Sequence, residues 1–218
     1  MERVVGLIHA TVVAIDPMRE TLQETLPQVK VLNFLDEGLL KRFREAGGIT
    51  PDAVRRLINL VVAAQDSGAE LALLTCSGFS STTGMLKRLV EIPVVAIDEA
   101  MLRAAVKIGG NIGVVATVPG AIDSTKALLK EISAEMKVSP SITPVLVEQA
   151  FDALQSLDFS LHNSLVCAAV LELASVSDVV ILAQVSMARA LSTFPKLDVP
   201  VLSSPHFAAR KIQEIMQC

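Results

Sequence analysis

Apolar positions along the chain follow two alternating patterns. Short, β-branched runs recur at Val4 to Ile8, Val29 to Leu32, Leu71 to Thr75, Val94 to Ile97, Ile112 to Ala116, Pro144 to Val147, Val179 to Ala183 and Val199 to Leu202. Most are apolar at consecutive positions, which predicts strands covered on both faces, as parallel sheets require. Between them lie longer segments with helical spacing. In Pro51 to Ser67, for example, Val54, Leu57, Ile58, Val61 and Val62 share one broad face, and Thr50 with Pro51 makes an N-cap and first-turn pair. Further helices are predicted from Ser80 or Ser81, either serving as the cap, through Met85, Leu86 and Leu89; from Ile122 through Met136; and over Pro205 to Cys218. The alternation is that of an α/β fold.

The pattern also repeats. "RVVGLIHA" at Arg3 to Ala10 is echoed by "NIGVVAT" at Asn111 to Thr117, pairing Gly6 with Gly113 and Ala10 with Thr117 at an offset of 107. "LALLTCS" at Leu71 to Ser77 is echoed by "VVILAQV" at Val179 to Val185 at an offset of 108, pairing Cys76 with Gln184. Two agreeing offsets predict a duplicated half. The expected architecture is two similar α/β lobes with mainly parallel sheets, related by a pseudo-twofold, with a ligand cleft between them. The first lobe comprises residues 1–97 with 205–218, its last helix returning to pack on it; the second comprises 98–204. Ligands of such sheets collect beyond the carboxyl ends of the strands, and clefts between domains favour pockets. His9, Cys76, Ser77, Thr117 and Gln184 all fall at or just beyond such ends.

Composition narrows the partners. The 218 residues include 19 basic and 23 acidic ones for a net charge of -4, with neither Trp nor Tyr, so a basic face interleaved with stacking aromatics has no support. No nucleic-acid partner is expected. No apolar run approaches the length of a membrane span, and the amino terminus lacks the basic and long apolar regions of a secretory signal. Three widely spaced cysteines, Cys76, Cys167 and Cys218, point to a reducing, cytoplasmic compartment and to neither a disulfide framework nor a metal cluster. A small-molecule partner is the better expectation, and the apolar helices are compatible with a homo-oligomer.

"LLTCSGFSS" places a thiol at a strand exit. Amides at the following helix start could bind a carboxylate and lower the thiol pKa, although free cysteine is also a common buried residue. His9 could act as acid, base or orienting donor. Thr117 and Ser124 bracket "TVPGAIDS", where hydroxyls and first-turn amides could hold a carboxylate, while capping would equally explain Ser124 or Asp123. Gln184 and Ser186 occupy the matching strand end of the second half, where an amide can hydrogen-bond but does not titrate near neutrality. Asp98 and Glu99 read as helix-start residues, His162 as structural, and Cys167 as buried in a helix. Cys218 is expected to be free and exposed. His206 and Arg189 are lesser candidates, Arg189 for a second carboxylate. A Ser-His-Asp elbow, a dinucleotide fingerprint and a phosphate-binding loop are all missing, so no nucleotide cofactor is expected.

In "VGLIHAT", "LLTCSGFS", "IGVVATVPGAIDS" and "VVILAQVSMA" the chain resembles the aspartate/glutamate/hydantoin racemase superfamily over essentially its whole length. The resemblance implies two α/β lobes around a cleft, no cofactor, and one cysteine from each lobe. Cys76 matches the first cysteine; Gln184 stands where the second is usual. The "HA" after the first strand, Asp36 with Glu37, and "LAQ-x-SMA" are similar to a less characterised branch in which glutamine is the rule. The resemblance implies a racemase or isomerase working at the carbon beside a carboxylate. Cys76 and His9 would be its catalytic residues, and Ser77, Thr117, Ser124, Gln184 and Ser186 its substrate-binding residues. A one-cysteine decarboxylase or lyase, and a catalytically inactive small-carboxylate binder, are the alternatives.

Overall fold

The computed structural model describes residues 3–217. Two parallel four-stranded sheets share one topology. In the first, β1 (Arg3–His9), β2 (Val29–Leu35), β3 (Leu71–Leu74) and β4 (Val94–Ala96) lie in the order β2-β1-β3-β4. In the second, β5 (Asn111–Ala116), β6 (Ser141–Leu146), β7 (Val179–Leu182) and β8 (Val201–Ser203) lie in the order β6-β5-β7-β8. The register keeps the sequence offsets: Ile8 pairs with Leu74, and Val115 pairs with Leu182. The chain is an α/β fold of two similar lobes.

The repeated glycines have a packing reason. A Cβ on Gly6 would stand 2.8 Å from the Ala64 Cβ, and one on Gly113 would stand 2.8 Å from the Ser177 Oγ and 3.1 Å from the Leu173 Cβ. In each lobe the central strand therefore needs glycine so that a helix can approach it closely. Those helices are α3 (Pro51–Asp66) in the first lobe and α8 (Phe159–Ala174) in the second.

The remaining helices are α1 (Ile15–Thr25), α2 (Glu37–Ala46), α4 (Thr83–Leu86), α5 (Glu99–Ile108), α6 (Pro119–Met136), α7 (Glu148–Gln155) and α9 (Ser204–Met216). Thr50 caps α3 as its sequence predicts, accepting from the Ala53 amide. The C-terminal α9 packs Ala208, Ala209 and Ile212 into one core cluster with Val5, Leu7, Leu71 and Leu73 of the first sheet. A larger core runs through both lobes and joins Ile8, Leu74 and Phe79 to Val114, Ile181 and Leu182.

Several predicted boundaries move. Strand β6 starts three residues before Pro144, and α6 begins at Pro119, three residues before Ile122, because proline suits the first helical turn. The helix predicted from Ser80 or Ser81 is instead a 3-10 turn over Ser77–Thr82, followed by the single turn of α4. Neither serine caps it: the Ser80 hydroxyl is buried and bonded elsewhere. No helix among the described residues is long and apolar enough to cross a membrane.

Candidate active site

Strand ends β1, β3, β5 and β7 converge on a small, partly enclosed cavity. From the first lobe its wall takes Thr11, Thr75, Cys76 and Ser77 as polar groups, with Leu40 and Phe43 of α2 beside them. The second lobe supplies Thr117, Gln184 and Ser186, with Val118, Ala121, Phe151 and Leu154. Five of the seven sequence candidates, namely Cys76, Ser77, Thr117, Gln184 and Ser186, thus meet in one wall. Cys76 and Gln184 occupy matching positions, each immediately before a 3-10 turn, Ser77–Thr82 or Val185–Thr193.

Cys76 is partly exposed on this wall. Crowding by protein atoms pushes its thiol up to about 11; an opposing hydrogen bond from the Gly78 amide is outweighed, and the nearby Asp98 charge adds to the rise. The sequence expectation of a thiol lowered by helix-start amides is therefore reversed, because burial exceeds the field of one short turn. Asp98 is 2% exposed and accepts from the Ser80 hydroxyl at 2.6 Å, while its Oδ2 has no partner among the described residues. Burial drives its carboxyl up to about 6 despite that bond. Asp98 makes no side-chain cap to α5, so the helix-start reading misses what this side chain does.

His9 is fully buried and does not line the cavity. Its Nε2 donates to Asn33 Oδ1 at 2.9 Å, and Nδ1 accepts from the Thr75 hydroxyl at 2.8 Å, a hydroxyl that also sits 3.0 Å from the Ile8 carbonyl. Desolvation lowers the His9 pKa and keeps the ring neutral around pH 7. It reaches the cavity only through Thr75.

Gln184 is held from one side. Its Oε1 accepts from the Thr117 amide at 2.9 Å and from the Thr117 hydroxyl at 3.3 Å. That fixes which end of the amide is which, and the Nε2, shielded from solvent, has no partner among the described residues.

Other candidates lie elsewhere. Ser124 sits inside α6 and donates to the Gly78 carbonyl at 3.2 Å, tying the lobes together outside the cavity wall. Arg189 lies over the Phe159 ring, 3.9 Å from its centroid, and lines a surface groove with His206. His162 is buried and donates from Nδ1 to the Ala150 carbonyl. Cys167 is half-buried beside another surface groove, and Cys218 lies outside the described residues. Among the described residues no group of three or more His, Cys, Asp or Glu side chains could hold a metal ion.

Asn33, Thr75 and the apolar walls from α2 and α7 escaped sequence reasoning. Only Asp36, which precedes α2, left a signal: its carboxylate caps Gly38 and takes a bidentate bond from Arg56, both contacts at 2.6 Å, so that α2 carries Leu40 and Phe43 to the cavity.

A family model described as Asp/Glu/Hydantoin racemase matches residues 6–212. No curated protein matches the chain. Among solved structures, glutamate racemase isoform RacE1 from Bacillus anthracis is similar with a TM-score of 0.72 at 19% identity, over 99% of this chain and 82% of that one. Aspartate racemase from Picrophilus torridus gives 0.74 at 14% identity, over 99% and 94%. Allantoin racemase from Klebsiella pneumoniae gives 0.74 at 15% identity, over 99% and 88%.

Proposed function

Because the chain belongs to the Asp/Glu/Hydantoin racemase family, we propose that it is a cofactor-independent isomerase that moves a proton at the carbon beside the carboxylate of a small acid, with Cys76 as proton carrier. The observation that carries this reading is the placing of the Cys76 thiol and the unpartnered Gln184 amide in one cavity wall.

The substrate carboxylate accepts from Gln184 Nε2 and from the hydroxyls and turn-start amides around Ser77, Thr117 and Ser186. The same donors stabilise the enediolate charge that develops when the C2 proton leaves. Cys76 takes that proton as thiolate and returns it as thiol. With its pKa near 11, the resting thiol is a poor acid but its conjugate base is strong, which suits a weakly acidic carbon. Inversion uses both faces: the Thr75 hydroxyl relays the departing C2 proton to the neutral His9 Nδ1 while the resting Cys76 thiol delivers its own proton to the opposite face, and the reverse reaction returns the imidazolium and the thiolate to their neutral forms.

The test is deuterium incorporation at C2 of 2-substituted acids in heavy water, by the native chain and by Cys76→Ser. Incorporation by the native chain alone supports the assignment; equal incorporation by both sinks it. A second reading, decarboxylation with Cys76 as single proton donor, is favoured by one fact: among the described residues Cys76 is the only titratable side chain in the cavity wall. Release of carbon dioxide from a 2-substituted malonate separates the two.

A further inference from the structure

We infer that the substrate is a monocarboxylate whose C2 substituent is apolar and uncharged, and neither a dicarboxylate nor an amino acid. This rests on the reading that a carboxylate binds beside Cys76, and it concerns what the rest of the cavity accepts.

Among the described residues no Lys, Arg, Asp or Glu lines the cavity. A second carboxylate would lose its hydration there without a cationic partner, and a C2 ammonium would lose its own without an acidic one. The cations that adjoin the cavity are already placed. Lys41 and Arg44 line an outer groove that meets it at Thr11, Leu40 and Phe151, together with Glu37 and Glu45. The Arg44 guanidinium lies over the outer Phe151 ring, 4.6 Å from its centroid, and Lys41 stands 3.9 Å from Glu45. Positive charge at the mouth can draw an anion towards the cavity but is balanced there by the two glutamates.

The apolar walls are fixed before any ligand arrives. The Phe43 ring packs edge-on against Phe79, with centroids 5.4 Å apart. It also fills the space beside two glycines: a Cβ on Gly78 would stand 3.1 Å from it, and one on Gly120 would stand 2.5 Å from it. Phe43, Leu40, Phe151 and Leu154 therefore offer a preformed surface for an alkyl or aryl group. The polar groups are confined to the strand ends, where Gln184 Nε2 still needs one acceptor. One charged head and one apolar tail match that division.

The test reads binding separately from chemistry. The alkylation rate of Cys76 by iodoacetamide, resolved from Cys167 and Cys218 by peptide mass spectrometry, is followed with 2-phenylbutyrate, aspartate or glutamate present at equal concentration. The expected result is slowing by about tenfold with 2-phenylbutyrate and under about twofold with either amino acid. Phe151→Ala should raise the 2-phenylbutyrate concentration needed by about tenfold, and Phe151→Leu by less, with both variants melting cooperatively. Equal or better protection by aspartate or glutamate overturns the inference, as does protection by none of the three. Deuterium exchange then reports on the functional reading alone. Protection by 2-phenylbutyrate without exchange at its C2 leaves the substrate class standing and removes the proton transfer. Exchange confined to the amino acids does the reverse.

Discussion

Ile8 pairs with Leu74 in the first lobe as Val115 pairs with Leu182 in the second, and one residue further on the backbones still match while the side chains part. The Thr75 amide donates to the Ile8 carbonyl and the Ala183 amide to the Val115 carbonyl, and the Asp36 amide donates to the His9 carbonyl as that of Val147 does to Ala116. These bonds equate His9 with Ala116, Thr75 with Ala183 and Asp36 with Val147. Counting on from Leu74 and Leu182 equates Cys76 with Gln184. Counting on from Ala96 and Ser203, which pair with those leucines, equates Asp98 with Pro205. The frame is duplicated, whereas the groups at the cavity that can hold or move a proton, Cys76 and Thr75 with His9 behind it, lie in the first lobe. The second supplies hydrogen-bond donors that do not titrate, and in the proposed function the first lobe moves the proton while the second adds donors to the carboxylate.

The largest effect that would sharpen this contrast concerns Asp98. Its folded pKa of about 6 lies above the usual carboxylate value, so the neutral carboxyl contributes stability at low pH that is lost as pH rises through about 6. Thermal melts from pH 4 to pH 7 should show a loss of up to about 3 kcal/mol beyond that of Asp98→Asn, which lacks the ionisation. A parallel slope in both would show that Asp98 does not titrate between those pH values. Next come the shared elements. Gly6→Ala and Gly113→Ala should each cost about 1–3 kcal/mol in denaturant unfolding, because each Cβ meets a neighbouring helix or the residue that follows it. A large difference between them would show that the frames are not equivalent.

Converting first-lobe positions to their second-lobe counterparts probes smaller effects. Asp36→Val removes the α2 cap and the partner of Arg56, and should lower stability by about 1–2 kcal/mol. Arg56 holds the Asp36 carboxyl below its ordinary pKa, so this contribution is present near neutrality and fades as pH falls into the acid range. Thr75→Ala should cost about 1 kcal/mol, and it should slow deuterium exchange far less than loss of the thiol does.

Much of this frame was legible in the chain. Continuous apolar runs gave parallel strands, and the Gly6/Gly113 and Cys76/Gln184 spacings foretold two lobes whose strand ends meet. The cavity wall contains five of the seven candidates because position at a strand end is a property of local sequence. Contacts across the molecule were not legible. His9 sits at a strand end but is turned to Asn33 and Thr75, and Ser124 is turned to the Gly78 carbonyl. Burial was equally hidden: the turn-start amides favour a lowered thiol pKa, yet surrounding protein atoms decide its sign at Cys76. The same holds for Asp98, whose capping position says nothing of the Ser80 bond that encloses it.

The division of labour between the lobes is tested most directly by measuring C2 deuterium exchange for Cys76→Ser and Gln184→Ala side by side, as a function of substrate concentration. Loss of the thiol should lower kcat by at least about a thousandfold with substrate binding retained, since proton transfer loses its carrier. Loss of the amide should chiefly raise KM, by about tenfold to a hundredfold, while exchange at saturation persists. Exchange that survives Cys76→Ser, or that vanishes at saturation in Gln184→Ala, would contradict the assignment of proton transfer to the first lobe and carboxylate binding to the second.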